Sequence, residues 1–349
     1  MNENQATWLS FLAEQGARLS ESTTPEPIGF TDAAPINAGF IAPLTHLGLI
    51  AATGEDAASF LHNQLTNDIE HLGPGEARLA GYCTAKGRLL ATMLTWKSGD
   101  TIYLQLPREL QPVVQTRLQM FILRAKAKLA DLSDDFVALG LVGADAELLA
   151  PWFPVLPNAP YAKVDTDAGS LIRVADADGR PRFQWIAPLA VAKDAWPTLA
   201  RRLPPAPPSA WRLTDIAAGM PTVVKATQEQ FVPQMVNFEV VGGVNFRKGC
   251  YPGQEIVARS QYLGKLKRRM LPATIATVGV APGMEVFAAN EPDQPCGQIV
   301  NAETIDGATR CLVELKTAAL ESGGGLHLGA ANGPLLDIGS LPYALIDPT

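Results

Sequence analysis

Residues 242–269, GGVNFRKGCYPGQEIVARSQYLGKLKRR, decide the reading of this chain. Cys250 stands between Lys248-Gly249 and Tyr251-Pro252-Gly253. The flanking glycines permit unusual backbone angles or the close approach of a ligand. The run that begins at Gly253 predicts a helix start just after the cysteine. A cysteine before a helix N-terminus, with Arg247 and Lys248 beside it, is expected to have a lowered thiol pKa. The thiolate is the reactive form, so nucleophilic, redox or metal-relay chemistry suits the placement. A buried, inert cysteine in a tight turn is the competing reading.

Composition bounds the rest. At about 150 residues per domain, 349 residues suggest two or three domains. With 47% apolar and 18% charged residues the chain has material for real cores, which excludes disorder over most of its length. A net charge of −7 argues against a general polyanion binder. Direct nucleic-acid binding would need a local basic patch. Arg259, Lys265, Lys267, Arg268 and Arg269 are candidates for contact with RNA or an acidic partner. A solvated hairpin or linker into the last domain accounts for them equally, since Tyr262 is their one interleaved aromatic.

The first twenty residues show no basic start followed by an apolar run, so no secretory signal is expected. They predict an amphipathic helix with Trp8, Phe11, Leu12 and Leu19 on one side. The uncharged run 33–54 contains Pro35, Asn37, Pro43, Thr45 and His46, which are costly in hydrocarbon, and a membrane span is rejected. Cys83, Cys250, Cys296 and Cys311 form no C-x-x-C pair. His46, His62, His71 and His327 lack ligand-like spacing. Neither a metal centre nor a disulfide framework is therefore expected, and the location expected is cytoplasmic.

Residues 21–40 look like a turn-rich linker. Strands are predicted at 46–52, 77–83, 88–96, 101–106 and 125–129, with helices at 55–65 and 110–123. The order recurs with a strand at 137–142, a helix at 144–149, strands near Leu171 and Phe183 and a helix at about 193–201. Two α+β layers result. LPPAPPSA (203–210) is a connector. Past Leu271, short strands with Pro-Gly, Asp-Gly and Gly-Gly turns predict a small β-barrel.

The octet KGCYPGQE (248–255) resembles the signature of the YgfZ family of folate-binding proteins, a family related to the aminomethyltransferase, or T-protein, of the glycine cleavage system. TGEDAASFLHNQLTNDI (53–69) is similar to that family's G-x-D-A-x-x-F-L-x-x-Q-x-T-x-D segment. YCTAKGRLL (82–90) resembles its C-x-x-K-G-R loop. WRLTDIAAGMP (211–221) and FVPQMVNFEVVGGVNFRKGC (231–250) follow in order. The resemblance implies an α+β fold, a three-domain ring of the T-protein type with two mixed α/β layers plus a C-terminal small β-barrel. The domains implied are 1–52 with 131–205, 53–130 with 206–270, and 271–349.

It also implies tetrahydrofolate as cofactor and Cys250 as the catalytic, working residue. The cofactor-binding residues implied are Trp211, Arg247, Lys248, Gly249, Tyr251, Gly253, Gln254, Glu255, Gln64, Asn67 and Arg88. From the residues alone, Trp211 suits a core position as well as a pterin platform. Arg247 and Lys248 equally suit exposed turn charges; Gln64, Asn67 and Asp68 could donate or accept near the ligand, and a helix C-terminus accounts for them equally. The function implied is that of an accessory protein supporting iron–sulfur enzymes, including those that thiolate tRNA. Folate and iron–sulfur enzymes or their assembly proteins would be the partners, with no membrane and no direct nucleic-acid contact. The alternative is a folate-dependent aminomethyl or methyl transferase or demethylase. Against it, Ala91 and Thr92 stand where T-protein carries an aspartate pair, and such chemistry needs a carboxylate to steer or deprotonate the reacting amine. Ala217 replaces the glutamate common in the family's D-I-E-A-G run, which would meet the pterin's amino groups.

Overall fold

Residues 3–31, 39–262 and 266–345 are described by a computed structural model; Lys265 and positions 32–38 of the expected linker lie outside them. Backbone contacts divide the chain into two compact units. One comprises Met1–Ala58, His71–Arg78 and Leu94–Thr214, the other Ser59–Glu70, Leu79–Met93 and Asp215–Thr349.

The first unit opens with helix Glu3–Glu14, which buries Trp8, Leu9 and Leu12. Gly16, at φ 87, turns the chain out of the helix in a conformation costly for side-chain-bearing residues. Leu19, expected on the helix face, therefore falls in the strand Ala17–Leu19, paired with Pro27–Phe30 inside the expected linker. Trp8 stands edge-on to Trp196 with ring centroids 5.8 Å apart, joining this helix to helix Leu189–Ala200. The core they share includes Leu139, Leu141, Leu171, Phe183 and Trp185. Those five residues belong to an antiparallel sheet ordered Lys163–Thr166, Gly169–Ala177, Arg180–Pro188, Phe136–Val142 and Phe40–Pro43. A second five-stranded sheet runs Ala77–Cys83, Leu89–Ser98, Thr101–Pro107, Leu47–Thr53 and Lys128–Asp131.

The other unit contains a six-stranded sheet ordered Leu326–Leu328, Glu285–Ala288, Glu291–Ile305, Ala308–Lys316, Arg268–Ile275 and Leu336–Ile338. A bridge between His327 and Leu335 nearly closes it, giving the barrel expected past Leu271. Its interior holds Ile275, Val286, Ile299, Val313, Cys296 and Cys311. Burial pushes the Cys311 thiol up to about 12, as befits a packing residue. Arg268 and Arg269 of the basic run lie in this sheet. Arg268 donates to both carboxylate oxygens of Glu314 at 2.8 Å, and the buried Arg269 meets Glu239 at 2.5 Å. Both cations are thus engaged in ion pairs within this unit. Arg259 is exposed on helix Gln254–Tyr262.

Candidate functional site around Cys250

The loop carrying Cys250 is built from the unit that contains residues 59–70 and 79–93. Thr66 and Asn67 stitch it in place. Thr66 Oγ1 donates to the Gly243 carbonyl at 2.6 Å and accepts from the Gly81 amide at 2.7 Å. Asn67 Nδ2 donates to the Leu79 and Gly242 carbonyls at 2.7 and 2.8 Å, while its Oδ1 accepts from the Asp68 amide. The Asn245 amide donates to Thr66 O at 2.9 Å, and Asn245 Oδ1 turns the chain by accepting from the Arg247 amide. Both amide protons of Asn67 and one acceptor site of its Oδ1 are thereby committed to the fold.

Lys248 points back into the protein. Its Nζ donates to the carbonyls of His62 and, at 2.7 Å, Leu65, beyond the last turn of helix Ala57–His62. A cation suits the negative end of a helix. The ammonium also lies 4.9 Å from the centre of the Tyr251 ring. Burial lowers its pKa from 10.5 to about 8, against the opposing pull of Asp68, Cys250 and Glu70. Tyr251 is itself buried, which pushes its hydroxyl far up.

Cys250 is exposed, whereas Cys83, Cys296 and Cys311 are buried. Burial pushes the Cys83 thiol up to about 12. Helix Gln254–Tyr262 begins just after the cysteine, with Glu255 in its first turn. Gly253, at φ 83, makes that start possible: a Cβ there would lie 2.4 Å from the Thr84 carbonyl oxygen and 2.6 Å from Gly87. The glycine lets the octet sit directly on the 84–87 turn. Arg88, next in that turn, is exposed and donates to the Gln230 carbonyl. Arg247, Gly249 and Glu255 are exposed and Gln254 half-buried. Gln64 Oε1 is buried with no hydrogen-bond partner.

Gln64, Asn67, Arg88 and residues 247–255 thus fall in the same compact unit, with Asn67 bonded to Gly242 at the start of the loop. Trp211 belongs to the first unit, on helix Pro208–Ala217. It is 1% exposed, with the Arg182 guanidinium 4.8 Å from its ring centre and Gly140 against its six-membered ring. That is the environment of a core tryptophan. Ala91 is buried, and Thr92 Oγ1 accepts from the Val223 amide at 3.0 Å, so neither supplies a carboxylate. Sequence reasoning named Asp68 as a polar group near the site but missed His62. Nδ1 of the buried His62 lies 3.0 Å from Asp68 Oδ1, and a Cβ on Gly249 would lie 3.5 Å from His62 Nε2. The one signal for His62 was its place six residues before Asp68 in the F-L-x-x-Q-x-T-x-D segment. A separate cleft in the first unit is lined by residues that include Trp8, Thr45, Gln105, Arg108 and Phe136. Among the described residues, no three His, Cys, Asp or Glu side chains gather to hold a metal, and no helix is long and apolar enough to cross a membrane.

The fold is that of a known solved structure. Glycine cleavage system aminomethyltransferase T from Bartonella henselae superposes with a TM-score of 0.77 over 96% of both chains, at 16% identity. The architecture is therefore of the aminomethyltransferase T class: mixed α/β sheets with a nearly closed C-terminal barrel. No protein-family model matches the chain. Curated relatives narrow the class. The tRNA-modifying protein YgfZ of Klebsiella pneumoniae (strain 342) is 33% identical over 224 residues, 64% of this chain and 67% of that protein. Its namesake in Edwardsiella ictaluri (strain 93-146) is 33% identical over 235 residues, 65% and 70% of the two chains. That of Photorhabdus laumondii subsp. laumondii is 29% identical over 302 residues, 85% and 90% of the two. The chain belongs to the YgfZ family.

Proposed function

We propose that this is a cytoplasmic, tetrahydrofolate-binding accessory protein that supports iron–sulfur enzymes, including those that thiolate tRNA, with Cys250 as its working group. One observation carries the reading: of four cysteines, the only exposed thiol sits on a loop fixed by buried hydrogen bonds, beside Lys248. A structural cysteine has no need of that exposure, and a reactive one requires it. The name of the relatives, tRNA-modifying protein, accords with clients among tRNA-modifying enzymes. One sulfur cannot hold a cluster alone. The cluster belongs to the client, and Cys250 acts by transient thiolate contact or exchange with a partner.

Tetrahydrofolate fits part of the residue set. The buried, unpartnered Gln64 Oε1 suits a pterin N–H, and the exposed Arg247 suits the carboxylates of the glutamate tail. Lys248 and Asn67 hold the loop instead. The bound folate would supply a reduced pterin able to carry a one-carbon unit. Titration with tetrahydrofolate, followed by intrinsic fluorescence, is expected to give saturable quenching, with affinity weakened about tenfold in Gln64→Leu, the loss of one buried hydrogen bond. No saturation up to millimolar ligand would remove folate from the account. The transferase alternative has the fold in its favour, but Ala91 and Thr92 leave its reacting amine without a carboxylate. No folate-dependent turnover of an aminomethyl donor is expected.

A further inference from the structure

We propose that the outer side of helix Gln111–Gln119 and the turn that follows it form a docking surface for an acidic protein, one that presents an apolar centre edged by carboxylates. The proposal rests on the reading of the chain as an accessory to client enzymes and names the face that meets them. All the residues concerned lie in the first compact unit. The helix buries Gln111, Val114 and Leu118. Val113, Met120, Phe121 and Leu123 are instead 60, 63, 47 and 88% exposed. Val113, Arg117 and Met120 are spaced i, i+4 and i+7, which sets them in one stripe along the helix. The helix expected to reach residue 123 stops at Gln119, and the amides of Phe121 and Ile122 bond to Leu118 O and Gln119 O in a tight turn at the end of that stripe. Single exposed apolar side chains are ordinary, but four large ones on one stripe and its turn mark a contact surface.

Leu123 stands at φ 44, in the left-handed region that disfavours residues with a side chain. Neither packing nor backbone geometry calls for leucine there; glycine would suit the turn and leave no hydrocarbon in water. Burial against a partner accounts for the side chain. The charges say which partner. RLQMFILRAKAK (117–128) holds four cations and no acid, in a chain of net charge −7. Lys126 pairs with Glu55 at 2.7 Å, and its amide donates to Asp56. Arg117 and Arg124 flank the apolar residues and have no ion pair among the described residues. An apolar centre with arginines at its edge is the anatomy of a protein interface, and complementarity places carboxylates opposite them. A second copy docked through the same face would set like charges together. RNA would find one aromatic, Phe121, among aliphatic side chains that offer bases nothing to stack on. An anionic bilayer would also meet Glu55 and Asp56, beside Lys126.

The test is photocrosslinking from position 123. The full chain with Leu123→p-benzoylphenylalanine is irradiated in cells whose own YgfZ protein has been deleted, and the joined peptide is identified by mass spectrometry. The expected adduct is a protein, joined at a peptide that carries Asp or Glu beside apolar residues. An adduct with RNA, with lipid or with a second copy of this chain, or no adduct at all, would overturn the proposal. Whether the joined protein is an iron–sulfur enzyme tests the accessory reading separately, so the two fail independently. A second measurement separates docking from folding. Leu123→Gly suits the left-handed backbone and removes only exposed hydrocarbon, so its denaturant midpoint should stay close to the native one. Combined with Arg124→Glu, and supplied to those cells at limiting abundance, it should lower tRNA thiolation about tenfold relative to the native chain, as a tenfold weaker contact does. Native thiolation by that folded double variant would overturn the surface, and the accessory reading would stand if Cys250→Ala remained inactive.

Discussion

Lys248 directs its ammonium at two main-chain carbonyls inside the protein, and the consequence is electrostatic. Its folded-state pKa, about 8, lies below its ordinary value of 10.5. Between those values the folded chain binds fewer protons than the unfolded one, so this group's contribution to stability rises with pH through that window and is flat outside it. Denaturation of the native protein and Lys248→Met at pH 7.5 and 9.5 should show the difference moving in favour of the native protein at the higher pH; an unchanged difference would mean that the amine titrates normally. The role of Lys248 was not legible in the sequence. A lysine in a glycine-rich turn looks the same whether it reaches for a ligand's carboxylate or for the open carbonyls of a helix end. Cys250 was legible, because its basic and glycine neighbours are adjacent in the chain. His62 was not: metal-ligand spacing gave it no role, and its approach to Gly249 exists only once residues 59–70 fold against residues 242–250.

At the scale of elements, the segment after helix Ala57–His62 acts as a clasp. Sequence periodicity predicted a helix to residue 65, but the chain leaves it earlier. The amides of Gln64 and Leu65 still bond to Leu61 O, and Thr66 then joins the strand Ala77–Cys83 to the loop at Gly243. Thr66→Val keeps the shape of the side chain and removes both bonds, leaving a buried amide and a buried carbonyl unpaired. The expected cost is about 2–3 kcal/mol, read as a shift in the denaturant midpoint at unchanged slope; a loss below about 0.5 kcal/mol would show that the clasp is replaceable. The barrel strands were legible from their turn residues. The strand Phe40–Pro43 was not. It is short, fully buried and adjoins a turn-rich stretch, and its proline is tolerated because the strand lies at the sheet edge.

Across the whole molecule, the order of motifs carried the fold to a structure with which the chain shares only 16% identity. Burial pattern and turn chemistry survive substitutions that erase identity, as the nearly closed six-stranded sheet with its own core of Ile275, Val286 and Val313 illustrates. A shared fold does not by itself carry function. Ala91 and Thr92 lie in the strand Leu89–Ser98 and carry no carboxylate, and the sulfur of Cys250, the proposed working group, is exposed. The most direct test of that claim is the level of thiolated nucleosides in tRNA from cells whose own YgfZ protein has been deleted, supplied with this chain or with Cys250→Ala at matched, folded abundance. The native chain is expected to restore thiolation and the alanine variant to leave it at the deletion level; full restoration by Cys250→Ala would contradict the account.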